Sequence, residues 1–369
     1  MGMLDGDWVG VAMMEDVPCV RNDGISDIGV TRAFYGCVDN HIYCCTRKYL
    51  GSAKIRAEGS DMALEGLHHI TAITADAPRN VDFYARLLGL RLVKKTVNFD
   101  APDVYHLYYG DEEGTPGSIL TFFEFPGAAR GRPGAGMVHT IQWRAGSAAA
   151  LDFWATRLAG AGVAASREGE ALRFEDFEGL RHEVLAADVP DAPLVAAAPD
   201  IPAEHALQGF HGVRAYAAAP ERSDGLLGAL GFERTDDGAW RVGGDARHAV
   251  LAWEPPPPER GRTSAGTVQH IAWSAADDDE LRDYRARAAA AGAQPTDIID
   301  RQYFHSVYFR EPNGVLFELA SRDIGFAYDE PVESLGEALK LPPQYESYRD
   351  ELEQRLTPLV NPRAPVTGG

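Results

Sequence analysis

Apolar and polar positions along this chain fall into a pattern that recurs four times after Leu64. Each copy opens with a short apolar strand and continues in a stretch with helical spacing. A glycine and an apolar residue close the helix, and further strands follow. In the first copy Val81, Phe83, Tyr84, Leu87 and Leu88 recur at helical spacing within 76–88, and Gly89-Leu90 ends the run. Residues 147–161 repeat this with Leu151, Trp154 and Leu158 before Gly162-Val163. Residues 220–230 repeat it more weakly before Gly231-Phe232, and 277–291 repeat it with Leu281 and Tyr284 before Gly292-Ala293. The pattern predicts four units of about 50 residues, each β-α-β-β-β.

The joints between units are rich in proline and glycine: 125–136, 186–208 and 254–266, the last containing four consecutive prolines from Pro255 to Pro258. The longest, 186–208, suggests a division into two domains of two modules each, 63–190 and 205–325. The expected fold is α+β, with four βαβββ modules paired into two domains, each an open, mixed, barrel-like sheet with outer helices. Residues 326–369 read as a tail with one helix, in the charged pattern of 345–356, and a structural role. Residues 1–62 show no sustained period and read as an extension, either disordered or preceding a natural start at Met62.

Aligning the four units brings out candidate chemistry. The opening strands carry His68, His139, His211 and Gln269 at their second position, and His69, Thr140, Gly212 and His270 at the third. The closing strands, aligned on their glycines, offer Thr121, Glu183 and Glu318 at one position, and the third unit offers no acid there. Units one and four therefore supply two histidines and one carboxylate: His69, His270 and Glu318. Two neutral imidazoles and a carboxylate on one face of an octahedral ion leave the opposite positions open, which suits Fe(II) in oxygen chemistry. Mn(II), or zinc with water in the open place, is the alternative. A carboxylate within Val315-Leu316-Phe317-Glu318-Leu319-Ala320 is costly to bury unless it is paired or holds a metal.

Composition narrows the partners. A formal charge of -20 over 369 residues disfavours nucleic acid and anionic membranes. No apolar run approaches the ~18 residues of a membrane span, and no secretory signal is visible, so a cytoplasmic protein is expected. All four cysteines (Cys19, Cys37, Cys44 and Cys45) precede Met62, which rules out a disulfide scaffold or a cysteine nucleophile in the body. Cys37, Cys44 and Cys45 with His41 match no zinc-site spacing.

Six segments together resemble a known family: Leu67-His68-His69-Ile70-Thr71, Tyr105-His106-Leu107-Tyr108-Tyr109, Gly114-Thr115-Pro116-Gly117, Gly209-Phe210-His211, Val315-Leu316-Phe317-Glu318 and Leu341-Pro342-Pro343-Gln344. The family is the vicinal-oxygen-chelate superfamily, which includes glyoxalase I, bleomycin-resistance proteins and extradiol ring-cleaving dioxygenases. The resemblance is greatest to its hydroquinone-cleaving branch and runs from about Leu64 to the C-terminus. It implies Fe(II) ligands at His69, His270 and Glu318, with supporting roles for His68, Thr71, Arg301 and Tyr308. The implied reaction opens an aromatic diol ring with O2, the partners being the small diol and O2, and a homo-oligomer is kept open. One departure is Gln269, where the branch resembles histidine; glutamine hydrogen-bonds but does not shuttle protons. Glyoxalase I resembles the chain less, because its four ligands include two carboxylates and Thr121 stands here at one of those positions. A glyoxalase-like isomerase or lyase, or a non-catalytic binding protein, is the alternative function. His106, His139, His182, His205 and His248 read as structural or surface residues, His305 as a weak candidate proton donor, and Glu183 as a relic ligand or a surface carboxylate.

Overall fold

The computed structural model describes residues 63–362, together with two strands nearer the N-terminus. Those two, β1 (Phe34–Val38) and β2 (His41–Cys45), form an antiparallel hairpin within a compact unit, Met1–Asp61. The remaining expectations for 1–62 lie outside the described residues, as do the side chains of Cys37, His41, Cys44 and Cys45. Met62–Gly369 forms the second compact unit.

All four predicted repeats are present. The first comprises β3 (Leu67–Thr74), helix α1 (Ala77–Val81) widening into π-type turns over Asp82–Leu87, β4 (Arg91–Asn98), β5 (Ala101–Gly110) and β6 (Ile119–Glu124). The second comprises β7 (Val138–Ala145), α2 (Ala148–Gly160), β8 (Ala165–Glu168), β9 (Ala171–Glu175) and β10 (Arg181–Ala186). The third has β11 (Phe210–Tyr216), a 3-10 turn leading into α3 (Asp224–Ala229), β12 (Glu233–Arg234), β13 (Trp240–Gly243) and β14 (His248–Glu254). The fourth has β15 (Val268–Ala275), α4 (Asp278–Ala290), β16 (Ile299–Asp300), β17 (His305–Arg310) and β18 (Leu316–Ser321). Local chemistry sets the helix starts: the side chains of Asp76, Ser147 and Asp277 each accept a first-turn backbone N–H.

Within each repeat the opening strand pairs in parallel with the closing strand, and the middle strands continue outward. Repeats then join through antiparallel pairing of their opening strands, β3 with β15 and β7 with β11. Two mixed eight-stranded sheets result, ordered β16-β17-β18-β15-β3-β6-β5-β4 and β12-β13-β14-β11-β7-β10-β9-β8. The sheets thus cut across the sequential grouping 63–190 and 205–325. Repeat one shares a sheet with repeat four, and repeat two with repeat three. The joint 186–208 is no free spacer either. Its Asp191 carboxylate is buried, 2.5 Å from the Arg144 guanidinium of β7, and accepts from the backbone N–H of His248 on β14.

Indole and phenyl side chains fill the space behind both sheets, with Trp143, Trp154, Trp273, Tyr84, Tyr284, Phe210 and Phe317 fully buried. Each contributes about 2–3 kcal/mol of burial. The tail packs against repeat one: the buried Lys94 ammonium lies 2.6 Å from Asp329 and 2.5 Å from Glu330, and the Lys340 N–H donates to Lys95 O. The one expected tail helix is α5 (Arg349–Arg355). No helix among the described residues is long and apolar enough to cross a membrane.

Candidate metal centre

The joined opening strands of repeats one and four do not pair evenly. On β3, Leu67 and His69 face Trp273 and Ala272, so His68 is an extra residue. On β15, Val268 and His270 face Ala72 and Thr71, so Gln269 is extra. Each is a β-bulge, which lets a side chain turn away from strict alternation. The second sheet carries bulges at the matching positions, His139 and His211. The register also places the closing-strand residues: Glu318 lies opposite Ala272 and Thr121 opposite Thr71, each two residues beyond a histidine.

His69 from β3, His270 from β15 and Glu318 from β18 converge as one buried group. His69 Nε2 is 3.2 Å from His270 Nε2 and 3.1 Å from Glu318 Oε2, and His270 Nε2 is 2.9 Å from the same oxygen. Ligand bonds of roughly 2.1 Å at right angles place neighbouring donor atoms about 3.0 Å apart, so the spacing is that of one face of an octahedron.

The outer hydrogen bonds set the proton positions. Ser321 O only accepts, so His68 donates to it through Nε2, at 3.1 Å. Burial lowers the His68 pKa to about 3, so its ring is neutral and Nδ1 is an acceptor. His69 Nδ1, 3.0 Å away, must then be the donor. That leaves a lone pair on His69 Nε2. His270 Nδ1 bonds Gln269 Oε1 in the same sense, which frees His270 Nε2. The other Glu318 oxygen accepts from Ser306 Oγ. Three electron-pair donors therefore point at one another in a buried space, an arrangement that repels itself unless a cation sits among them.

The other expected site residues surround this group. Thr71 lies opposite His270 and accepts from Thr121 Oγ1 at 3.0 Å. Tyr308 lies opposite Glu318, its ring edge-on to His270 at 5.8 Å. The Arg301 guanidinium carbon is 5.4 Å from the Tyr308 ring centre, and its NH1 is 3.4 Å from Asp100, not paired with Asp297 or Asp300. His68 has both ring nitrogens engaged. Phe304 packs 5.0 Å from His69 and adds an aromatic side to the centre.

Two readings change. His106 is not a remote structural residue, because its Nε2 lies 2.9 Å from Thr121 Oγ1, at the position matching Glu318. The signal was its alternation with Tyr108 on β5, a pattern that names a face only once the register is known. Glu183 is not a surface carboxylate, being fully buried. His305 pairs with Asp278 at 2.6 Å.

Residues 66–184 and 226–319 match the Glyoxalase family, described as the Glyoxalase/Bleomycin resistance protein/Dioxygenase superfamily. The chain is 41% identical over 305 residues to "Putative ring-cleaving dioxygenase MhqO" of Bacillus subtilis (strain 168), covering 79% of this chain and 96% of that one. It is 36% identical over 308 residues to chlorohydroquinone/hydroquinone 1,2-dioxygenase of Sphingobium indicum, covering 78% of this chain and 95% of that one. A crystal structure titled as a "putative dioxygenase" from Bacillus subtilis subsp. subtilis str. 168 superposes with a TM-score of 0.77 at 39% identity, over 82% of this chain and 99% of that one. A glyoxalase I variant of Zea mays shares the fold, with a TM-score of 0.52 at 14% identity over 70% of this chain and 94% of that one.

Proposed function

We propose that this chain, which belongs to the Glyoxalase/Bleomycin resistance protein/Dioxygenase superfamily, is an Fe(II)-dependent, extradiol-type dioxygenase that opens the ring of a hydroquinone or related aromatic diol with O2. The observation that carries the reading is the converging set of lone pairs on His69, His270 and Glu318. Relatives named as ring-cleaving dioxygenases, one of them for hydroquinones, supply the substrate class. We place the protein in the cytoplasm, since the body after Met62 has no cysteine and needs no oxidising compartment.

Bound Fe(II) would supply the redox chemistry that lets O2 react with an aromatic ring. The protein's own residues do the rest. One carboxylate against a divalent ion leaves a net positive charge, which favours a diol bound through one ionised oxygen. His68 holds the orientation and tautomer of His69; with both nitrogens occupied it is a positioning group, not a free base. Tyr308 keeps its proton, since burial and the Glu318 charge push its pKa up, and so it donates a hydrogen bond. Arg301 stays charged beside Tyr308 and Asp100, ready for an anionic oxygen. In place of a second carboxylate, Thr121 leaves one side of the centre uncharged, which disfavours a glyoxalase-like four-ligand sphere.

The test is O2 uptake by anaerobically Fe(II)-loaded protein across a panel of hydroquinones and catechols, with His270→Ala as control. Uptake that needs a hydroquinone and vanishes in the variant is expected. Uptake with catechols alone would move the substrate class. No uptake with any diol, despite stoichiometric iron, would sink the dioxygenase reading.

A further inference from the structure

A line of hydrogen bonds enters the centre from the β5 side, and the Thr121-to-Thr71 bond gives it a direction. Tyr108 OH lies 2.9 Å from His106 Nδ1, His106 Nε2 lies 2.9 Å from Thr121 Oγ1, and Thr121 Oγ1 donates to Thr71 Oγ1 at 3.0 Å. Thr121 spends its only proton on Thr71, so it must accept from His106. The Nε2 nitrogen of His106 is therefore the protonated one, and Nδ1 accepts from the Tyr108 hydroxyl. Every donor points the same way, and the one proton left over is the hydroxyl proton of Thr71. Thr71 stands two residues beyond His69 on the same strand face and opposite His270.

All four groups are at least nine-tenths buried. Tyr108 is held by Phe326, ring centres 5.0 Å apart, and His106 by Phe123 at 4.3 Å. Burial keeps the His106 imidazole neutral, as the chain of donors requires.

We propose that Tyr108, His106 and Thr121 form a directed donor chain that aims the Thr71 hydroxyl at an ionised ligand oxygen held over His69, His270 and Glu318. His106 is a positioning residue in it, acting through Thr121 and Thr71. The inference rests on the phenolic substrate class of the proposed function. Hydrogen bonds in series polarise one another, so breaking any link weakens the last donor.

The experiment uses full-length protein loaded with redox-inert Zn(II) and 4-nitrophenol, whose phenolate absorbance reports both binding and ionisation. His106→Phe and Thr121→Val should each weaken phenolate binding about tenfold and raise the bound phenol's pKa by about one unit. The double variant should lose no more than either single one, and Thr121→Ser should restore the wild-type values. Zinc content and thermal melts identify variants that fail to fold. Tyr108→Phe, which keeps ring volume, then serves as the link to break and should show a partial loss. Variants that bind like wild type, or losses that add, would overturn the chain while leaving the dioxygenase reading intact. Failure of the wild-type protein to take up any 4-nitrophenol would overturn the chain's role toward a phenolate, and O2 uptake with diols separately decides the dioxygenase reading.

Discussion

The two sheets are built alike and differ at the same few positions. In the sheet of repeats one and four, the third residues of the opening strands are His69 and His270, and the acid position holds Glu318 and Thr121. In the sheet of repeats two and three, the matching residues are Thr140 and Gly212, with Glu183 and Ala252. Glu318 and Glu183 are both fully buried. Glu318 faces two imidazoles with free lone pairs, whereas Glu183 is bonded by Gln142 at 2.5 Å, Arg173 at 2.7 Å and Arg214 at 3.0 Å. One carboxylate awaits a cation and the other already has two. Gly212 closes the second site further, because a Cβ there would lie 2.1 Å from Val250 O. Its opening strand has come too close to β14 to carry any side chain at the ligand position. A shared backbone plan therefore gives a candidate metal centre or an internal ion pair, according to what surrounds one carboxylate.

That contrast can be broken most sharply at the carboxylates. Glu318→Gln should lower metal affinity by more than roughly 100-fold and remove activity, because a metal ligand counts for more than its neighbours. Glu183→Gln should leave metal content and activity unchanged. It should instead lower unfolding free energy by roughly 1–3 kcal/mol, since Arg173 and Arg214 lose a buried partner but keep access to water. Metal titrations and urea unfolding on both variants read the two effects separately. Metal loss in Glu183→Gln would show that the sheets are not independent.

The bulges offer a smaller contrast. Removing the acceptor or donor behind a ligating histidine typically costs about 10–100-fold in metal affinity, so His68→Ala and Gln269→Ala should fall in that range. His211→Ala, at the matching bulge of the other sheet, should not change it. Equal losses at all three positions would mean that the bulges act through strand geometry rather than through the ligands' ring nitrogens.

Much of this was legible in the chain, and the physics says why. Helix starts at Asp76, Ser147 and Asp277 follow from local capping, and the triad follows from aligning repeats whose apolar positions keep register. The pairing of repeats was not legible. It depends on which opening strands meet, a contact between residues about 200 positions apart in sequence, while the proline-rich joint 186–208 suggested a boundary by composition alone. His106 was missed for a related reason. Alternation on β5 places His106 and Tyr108 on one face, but only the pairing of Tyr108 with Thr121 shows that this face looks onto the centre. The bulge at His68 was not legible either, since no single-strand pattern reveals where strict alternation fails.

The smallest expected effect concerns how acid acts on the second sheet. Asp191, in the joint 186–208, has a side chain 1% exposed and holds Arg144 of β7 and both the backbone N–H and the ring of His248 on β14. Burial by itself would raise its pKa. The bonds from His248 and Arg144 outweigh that and bring it from the ordinary 3.8 down to about 2. A carboxylate depressed by folding contributes stability that is complete above its unfolded pKa and disappears as pH falls through the folded one. The contribution is about 2 kcal/mol at pH 7 and fades between about pH 4 and pH 2. Asp191→Asn should therefore unfold at lower urea at pH 7, with metal binding unchanged, and should lose less additional stability than wild type between those two acidic pH values. If the variant and wild type lose stability in parallel on acidification, Asp191 does not carry the acid sensitivity, and the buried Glu183 becomes the group to examine.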